Sequence, residues 1–549
     1  MPPRSSRPFP RLSPLVLPPS AAALALITAL FVLPGLAGHD PWKTHDAIAI
    51  GIAHGMLVSG DALVPRIAGL PWLHDPPLYH WLAVALGRVL QPLLEFHSAA
   101  RLASGALVAA ALALIYRAAR DWQPAGQKRE AGSAALLLLL GSLGLMVHAH
   151  EALPELASLA ALCGALAALP HAQRRPLAGG ALFGAAIGAA FLSANWIAPL
   201  ALGASTLAAH LVCAEWRSRR GAAFTLAWLA VAALVAAAWP LALRARSPEL
   251  FVEWWAFNSR PEGGAGNLRY FLSTASWFTW PAWPIAGWAL WSLRRRLTEP
   301  RLFVPFAAST TMLAAVSYWG PPQDVNLLML LPPLALLAAQ GALTLRRGAA
   351  GALDWFGVLA FGFFTFMVWL GWVGMLTGLP AFAANFFAKT APGFTLGFRP
   401  LAFVFALLLV AGWLYVMLYS TRSPVRSLAR WAAGIVLLWG SFSALWMPWA
   451  DHQKSYRSVA LQLRSKMPVD AGCLAQRSLG ISQAAALDYH AGIRPRPFDP
   501  QKPTACPLLL VQGSPQNEFD GPGAGWVKLA DVGRPGDRSE RYRLYRFSK

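Results

Sequence analysis

The sequence predicts a mostly α, polytopic helical membrane protein with a small α/β domain at its C-terminal end, and three observations carry that prediction. Of 549 residues, 56% are hydrophobic and only 13% charged, a balance that excludes an ordinary soluble domain. Apolar runs of about 17–23 residues recur along the chain, the length a helix needs to cross a bilayer. After Asp451 the runs stop, and short strand-like stretches between Gly and Pro turns take over.

The spans follow in order. Arg4, Arg7 and Arg11 precede a run from Leu15 to Leu36. It is long and lacks an A-x-A cleavage site, so it reads as an uncleaved first span with its N-terminus in the cytoplasm. Further runs lie near 99–117, 132–148, 153–169, 178–194, 196–213, 222–242, 276–293, 302–318, 325–344, 355–377, 400–419 and 431–448. That makes about thirteen spans. Basic clusters follow every even-numbered exit: Arg117 to Arg129, Arg174 and Arg175, Arg217 to Arg220, Arg294 to Arg296, Arg346 and Arg347, and Arg422 to Arg430. Positive loops stay in the cytoplasm, which leaves 38–98, 148–155, 243–275, 318–324, 378–398 and the tail outside. The helix opened by Pro76-Pro77 must therefore lie along the outer surface, because counting it as a span would invert every later loop.

The formal charge of +21 does not indicate nucleic acid, since the arginines sit in these short clusters as orientation signals. Many of the 25 Trp lie near run ends, where interfacial aromatics anchor helices. The chain divides into a transmembrane domain, 1–449, whose first external loop is 38–98, and an external domain, 450–549. The tail reads as a helix from Ser455 to Met467 followed by the strand-like runs C-L-A-Q-R-S-L, P-L-L-L-V-Q-G, W-V-K-L-A-D-V and R-Y-R-L-Y-R-F. Cys473 and Cys506 are either two buried thiols or, as an oxidising compartment favours, a disulfide. Cys163 and Cys213 read as small core residues, and no CxxC pair points to structural zinc.

Chemistry concentrates outside. Between Gly38 and Trp81 stand Asp40, Lys43, His45, Asp46, Asp61, Arg66, His74 and Asp75, a density of ionisable groups beside a first span that marks a reaction or binding site. Asp46 precedes a helical run, so it is an N-cap, an acceptor-activating carboxylate, or both. His45, His74, His148 and His150, with Asp75, Glu151, Glu155 and Asp324, form an inventory of ligands for a divalent cation. No pair has a diagnostic spacing such as HExxH, and histidines bonded to backbone are the simpler account. Glu151 and Glu155 share a helix face, where two acids also suit the N-terminal dipole. Arg260 and Arg269 flank a Gly-rich external loop; with Arg66 and Lys43 they suit either a phosphate or lipid headgroups.

The order of motifs resembles a known class. A span and an acidic external loop precede M-L-V-S-G-D (56–61), Val64-Pro65, Gly69, P-P-L-Y-H-W-L (76–82) and A-R-L-A-S (100–104). Later come L-L-P-P-L-A-L-L-A (330–338), D-W-F-G (354–357), K-S-Y-R (454–457) and L-L-V-Q-G (509–513). Together these are similar to the multi-spanning GT-C glycosyltransferases, specifically the lipid A aminoarabinose transferase and protein mannosyltransferase-like group. The resemblance implies an enzyme that moves a sugar from a polyprenyl phosphate to an envelope glycolipid, lipid A-like, or to a protein acceptor. It implies a bacterial inner membrane with the tail in the periplasm, and membrane lipids rather than nucleic acid as surroundings. An acid of the first loop would act as base, with Asp46 the expected one, helped by His45 or Asp40. Arg66, Arg260, Arg269 and Lys43 would hold the donor phosphate. His74, Asp75, Glu151, Glu155 and Asp324 would lie near the acceptor or a metal.

Four positions depart from the group's pattern. His45-Asp46 stands for Asp-Glu, Ile48-Ala49 for Arg-Tyr, His74-Asp75 for Glu-Lys before P-P-L, and Gln323-Asp324-Val325-Asn326 for Arg-Asp-x-Tyr. The alternative these departures raise is a catalytically silent paralogue that binds polyprenyl phosphate or partners a related enzyme. A transporter would show broken helices and inverted repeats, and the pattern shows neither.

Overall fold

The computed structural model describes residues 14–261, 264–468, 472–502, 505–515 and 522–548. Arg4, Arg7 and Arg11 lie outside the described residues, as does the Glu262-Gly263 centre of the Gly-rich loop. The chain is predominantly helical, and among the described residues seven helices are long and apolar enough to cross a membrane. They are Phe96–Asp121, Arg219–Arg246, Pro300–Trp319, Asp324–Ala342, Arg347–Thr377, Pro400–Tyr419 and Arg426–Leu445. Shorter apolar helices, Ala21–Val32, Pro176–Phe191 and Ile197–Val212 among them, pack beside these. One continuous apolar core runs through the bundle from Leu17 to Leu437. Glycines let helices approach there: a Cβ at Gly184 would stand 2.4 Å from the Trp228 carbonyl oxygen.

Two runs that read as single spans are broken. The 132–148 run divides into Lys128–Leu140 and Leu143–His148. At the break the Trp431 indole donates to the Gly141 carbonyl at 2.8 Å, replacing an intrahelical partner. The 276–293 run divides into Ala265–Phe278 and Ala282–Ser292, because Pro281 cannot donate into a continuous helix. Broken helices are thus present although hydropathy hides them, since an interruption of two or three apolar residues leaves the window average untouched.

The segment 38–98, the loop after the first apolar run, holds three elements. A helix, His45–Ser59, ends on Gly60 in the left-handed conformation (φ 71°), a cap that glycine adopts without Cβ strain. A two-residue hairpin follows, β1 Arg66–Ile67 against β2 Leu70–Pro71, and then the helix Leu78–Leu90 behind Pro76-Pro77.

All four strand-like runs of the tail form strands: β3 Leu474–Arg477, β5 Leu508–Gly513, β6 Trp526–Val532 and β7 Arg541–Phe547, with β4 Arg496–Pro497 added. Their order is β4-β3-β5-β7-β6, β3 pairing parallel with β4 and β5, and β7 antiparallel with β5 and β6. The expected helix is present as Arg457–Lys466. A second helix, Ile481–Ala491, connects β3 to β4. Leu463, Leu474, Leu487, Leu508, Leu510 and Leu544 form the domain's core, and Cys473 and Cys506 are bonded to one another.

The tail is fastened to the bundle, and the loop helix is where the two meet. A Cβ at Gly51 would stand 2.7 Å from Ala485 Cβ, so the loop helix and the helix Ile481–Ala491 touch almost backbone to backbone.

Candidate active site between bundle and tail

A cavity of about 670 Å³ opens at this junction, well within the range of small-molecule sites. Its lining comes from six regions. The loop supplies Lys43, His45, Trp72, His74, Asp75 and His80; the start of Pro154–Ala168 supplies Glu155. Asn195 and Trp196, then Asn258 and Arg260, come from the ends of neighbouring helices, and Gln323 and Asn326 from the 3-10 turn at Asp324–Leu330. The tail closes the cavity with Ser478, Ser482, Gln483 and Gln512. Amides, aromatics and a few charges converge on one space.

Two carboxylates meet there. Burial and then the Glu155 charge push the Asp75 carboxyl well above the usual carboxylate range. Glu155 Oε2 is buried without a hydrogen-bond partner among the described residues. Asp75 therefore holds its proton at pH values where isolated carboxylates have lost theirs. His74 stacks on Trp72 at 3.8 Å and tilts against Phe257 at 3.9 Å. Burial lowers its pKa to about 4, leaving a neutral ring at the cavity wall.

Other expected site residues are elsewhere. Asp46 is 2% exposed and does not line the cavity. Its Oδ1 accepts from Arg101 Nε at 2.9 Å and the Ala152 amide at 2.8 Å. Its Oδ2 accepts from Arg101 Nη2 at 2.8 Å and the Trp42 amide at 3.1 Å. Four donors occupy the two oxygens. Burial alone would raise this carboxyl, but the Arg101 guanidinium outweighs it and holds it below the usual range. Arg101, fully buried, spends its remaining donors on the carbonyls of His39 and Asp40 at 3.0 and 2.9 Å. Asp46 thus ties the loop helix to Phe96–Asp121 and to the turn before Pro154, which aims its neighbour His45 into the cavity.

Asp40 is likewise engaged. Its carboxylate accepts from Arg457 Nε at 3.0 Å and Ser455 Oγ at 2.5 Å. Burial opposes its ionisation, but these bonds bring its pKa down to about 2. Asp451 takes the Asp40 amide and the Trp42 indole, both at 2.8 Å. Arg66 makes a loose 3.9 Å pair with Asp61, and neither it nor Arg269 lines the cavity. Glu151 and Asp324 flank His148, at 3.1 and 3.5 Å, beside the cavity rather than in its wall. His150 donates to the Phe31 carbonyl at 2.7 Å.

Among the described residues the His and carboxylate group compact enough for a cation is Asp40, Glu95 and His97. Arg457 already bridges Asp40 and Glu95, so the protein's own guanidinium fills that role. Glu95 and Arg457 border a second cavity of about 730 Å³ on the opposite face of the loop helix, with His54, Tyr489 and His490. Its charged groups are paired with one another, which separates it from the cavity holding Asp75 and Glu155.

Arg101, the cavity amides Asn195, Asn258, Gln483 and Gln512, and the helix Ile481–Ala491 have no place in the site expected from sequence. Arg101 alone announced itself, as an arginine entering an apolar run that required an acidic partner.

No family model matches the chain. Sequence relatives are named undecaprenyl phosphate-alpha-4-amino-4-deoxy-L-arabinose arabinosyl transferase. That of Pseudomonas aeruginosa (strain LESB58) is 26% identical over 494 residues, 86% of this chain and 83% of the relative. That of Pseudomonas paraeruginosa is 28% identical over 440 residues, 76% of this chain and 73% of the relative. The crystal structure of ArnT from Cupriavidus metallidurans bound to undecaprenyl phosphate superposes with a TM-score of 0.68 at 18% identity, over 95% of this chain and 97% of that chain. In sequence the chain is similar to the aminoarabinose transferases, and its fold is that of the Cupriavidus metallidurans ArnT.

Proposed function

We propose that this chain is a membrane glycosyltransferase that moves a sugar from a polyprenyl-phosphate donor to a lipid A-like acceptor. The cavity between bundle and tail carries the reading: it joins an acid pair, cationic side chains and a ring of amides in one space. In glycosyl transfer an acceptor oxygen attacks the anomeric carbon, the bond to the lipid phosphate breaks, and the acceptor proton must leave. The Asp75–Glu155 pair at the cavity wall is suited to take that proton. Lys43 and Arg260 meet the phosphate as its charge grows. Asn195, Asn258, Gln323, Asn326 and Gln483 supply donors and acceptors for sugar hydroxyls. His45, on the first turn of the loop helix, lies beside them.

The same reading assigns the finer topology. About thirteen spans, an N-terminus in the cytoplasm and a periplasmic tail put the cavity at the outer face of the inner membrane, where lipid-linked donor and glycolipid acceptor meet. The disulfide suits that compartment. Impermeant thiol labelling of a cysteine placed at exposed Arg464 tests the side.

The function is tested by mass spectrometry of envelope glycolipids from wild type, a deletion strain, and the deletion carrying Glu155→Gln. A glycolipid that loses a sugar residue on deletion and stays unmodified with Glu155→Gln is the expected result. A lipid profile unchanged by deletion overturns the assignment.

A further inference from the structure

Lys43 enters the cavity wall from the loop, but the tail holds its charged end. Lys43 Nζ lies 2.6 Å from Glu540 Oε1. Glu540 is 8% exposed and itself fixed: its Oε2 accepts the Tyr456 hydroxyl at 2.9 Å and the Tyr542 hydroxyl at 2.8 Å. Both tyrosines are fully buried in the tail core. Gln483, which lines the same cavity, turns its amide toward both carboxylate oxygens at 3.4 and 3.5 Å. Arg534 stands 3.8 Å from Oε2 and stacks over the Tyr456 ring. The carboxylate is therefore rigid and already supplied with donors before Lys43 reaches it.

A lysine on a flexible stem loses rotamer freedom when it is fixed, at a cost in free energy. Glu540 removes that cost in advance. It engages one of three N–H donors, and the side chain of Lys43 remains 44% exposed, so two donors are free to turn toward the cavity. Resting on the assignment of Lys43 to the donor phosphate, we propose that Glu540 is a positioning residue: the tail domain aims the loop's phosphate-gripping cation through the Tyr456–Tyr542–Glu540–Lys43 chain. The tail is then a working part of the donor site, not an appended domain.

Binding of undecaprenyl phosphate to the full-length protein in lipid nanodiscs tests this. Lys43→Ala is expected to weaken binding about tenfold, and Glu540→Gln about three- to tenfold. Glu540→Asp is expected to recover part of the loss. The double variant Lys43→Ala/Glu540→Gln should bind no more weakly than Lys43→Ala alone, because Glu540 acts through Lys43. Tyr542→Phe removes one support without removing charge and should weaken binding about twofold, which provides a second reading should Glu540→Gln misfold. Additive losses in the double variant, or wild-type or tighter binding by Glu540→Gln beside a weakened Lys43→Ala, overturn the role of Glu540 alone. Wild-type binding by Lys43→Ala overturns the phosphate assignment of Lys43, and this proposal with it.

Discussion

Two acids of the loop 38–98, Asp46 and Asp75, look alike in sequence and end in opposite states. Asp46 receives four hydrogen bonds, two of them from a guanidinium, and is held ionised. Asp75 meets burial and a second carboxylate, and is held toward its neutral form. A fully satisfied carboxylate has no lone pair to offer a substrate, so its charge serves architecture. A strained pair at a cavity wall has both a proton to share and a reason to exchange it. Density of charge marked the right loop; the identity of each partner separates anchor from reactive group.

The comparison breaks first at the cavity. Glu155→Gln and Asp75→Asn are each expected to lower turnover by about 10²–10⁴-fold, the range general acid–base groups contribute, while melting temperature in detergent stays near wild type. Asp46→Asn would invert the pattern, losing stability with little specific loss of turnover in the fraction that remains folded. A tenfold or larger kcat defect in well-folded Asp46→Asn beside an active Glu155→Gln would exchange the two roles.

Next in size is Arg101→Ala. It strands Asp46 in a buried site and frees the carbonyls of His39 and Asp40. Removing one member of a buried pair costs about 3–5 kcal/mol, read as a lowered thermal or denaturant midpoint. Arg101→Lys should recover little, because one ammonium cannot reproduce bonds made from three guanidinium nitrogens in fixed directions. A variant as stable as wild type would mean the clamp is not the anchor.

The bundle and the tail sheet were largely legible, for different reasons. Apolar runs such as 99–117 and 400–419 are set by the bilayer, so each run announces itself without its neighbours. The tail runs were short apolar stretches between Gly and Pro turns, three of them carrying β-branched or aromatic residues, and all four formed strands. The breaks at Gly141 and Pro281 stayed hidden because flanking residues are equally apolar. The site was legible only as a region. His45, His74, Asp75, Glu155, Arg260 and Lys43 do line the cavity, yet Arg66 and Arg269 do not, nor do Asp46 and Asp40, whose pairing with Arg101 and Arg457 depends on contacts 55 and 417 positions apart. The tail's wall, Ser478 to Gln483, carried no catalytic signature and gains its role by docking.

That docking has its own pH dependence. The Asp40 carboxyl falls from 3.8 in the unfolded chain to about 2 when bonded to Arg457 and Ser455. A depressed carboxylate stabilises the native state above the unfolded value, and the contribution is lost as pH falls from 3.8 toward about 2. The size is about 2–3 kcal/mol. Acid titration of stability should show a slope in that window for wild type and a flatter curve for Asp40→Asn. Equal slopes would remove the Asp40–Arg457 link from the interface that holds the tail.

The smallest change probes the same interface by shape alone. Gly51 faces Ala485, whose Cβ would lie 2.7 Å from a new methyl group, closer than packed carbons approach. Gly51→Ala must push the loop helix and the helix Ile481–Ala491 apart by several tenths of an ångström. Overpacking of this kind costs about 1–3 kcal/mol, partly offset by the roughly 0.5–1 kcal/mol that Ala gains over Gly within a helix. The net fall in stability is therefore small, and the informative reading is kinetic. Because Ser482 and Gln483 stand on the displaced helix and line the cavity, KM should rise several-fold while the melting point moves by only a few degrees. An unchanged KM would show that the tail closes the cavity without touching what binds in it.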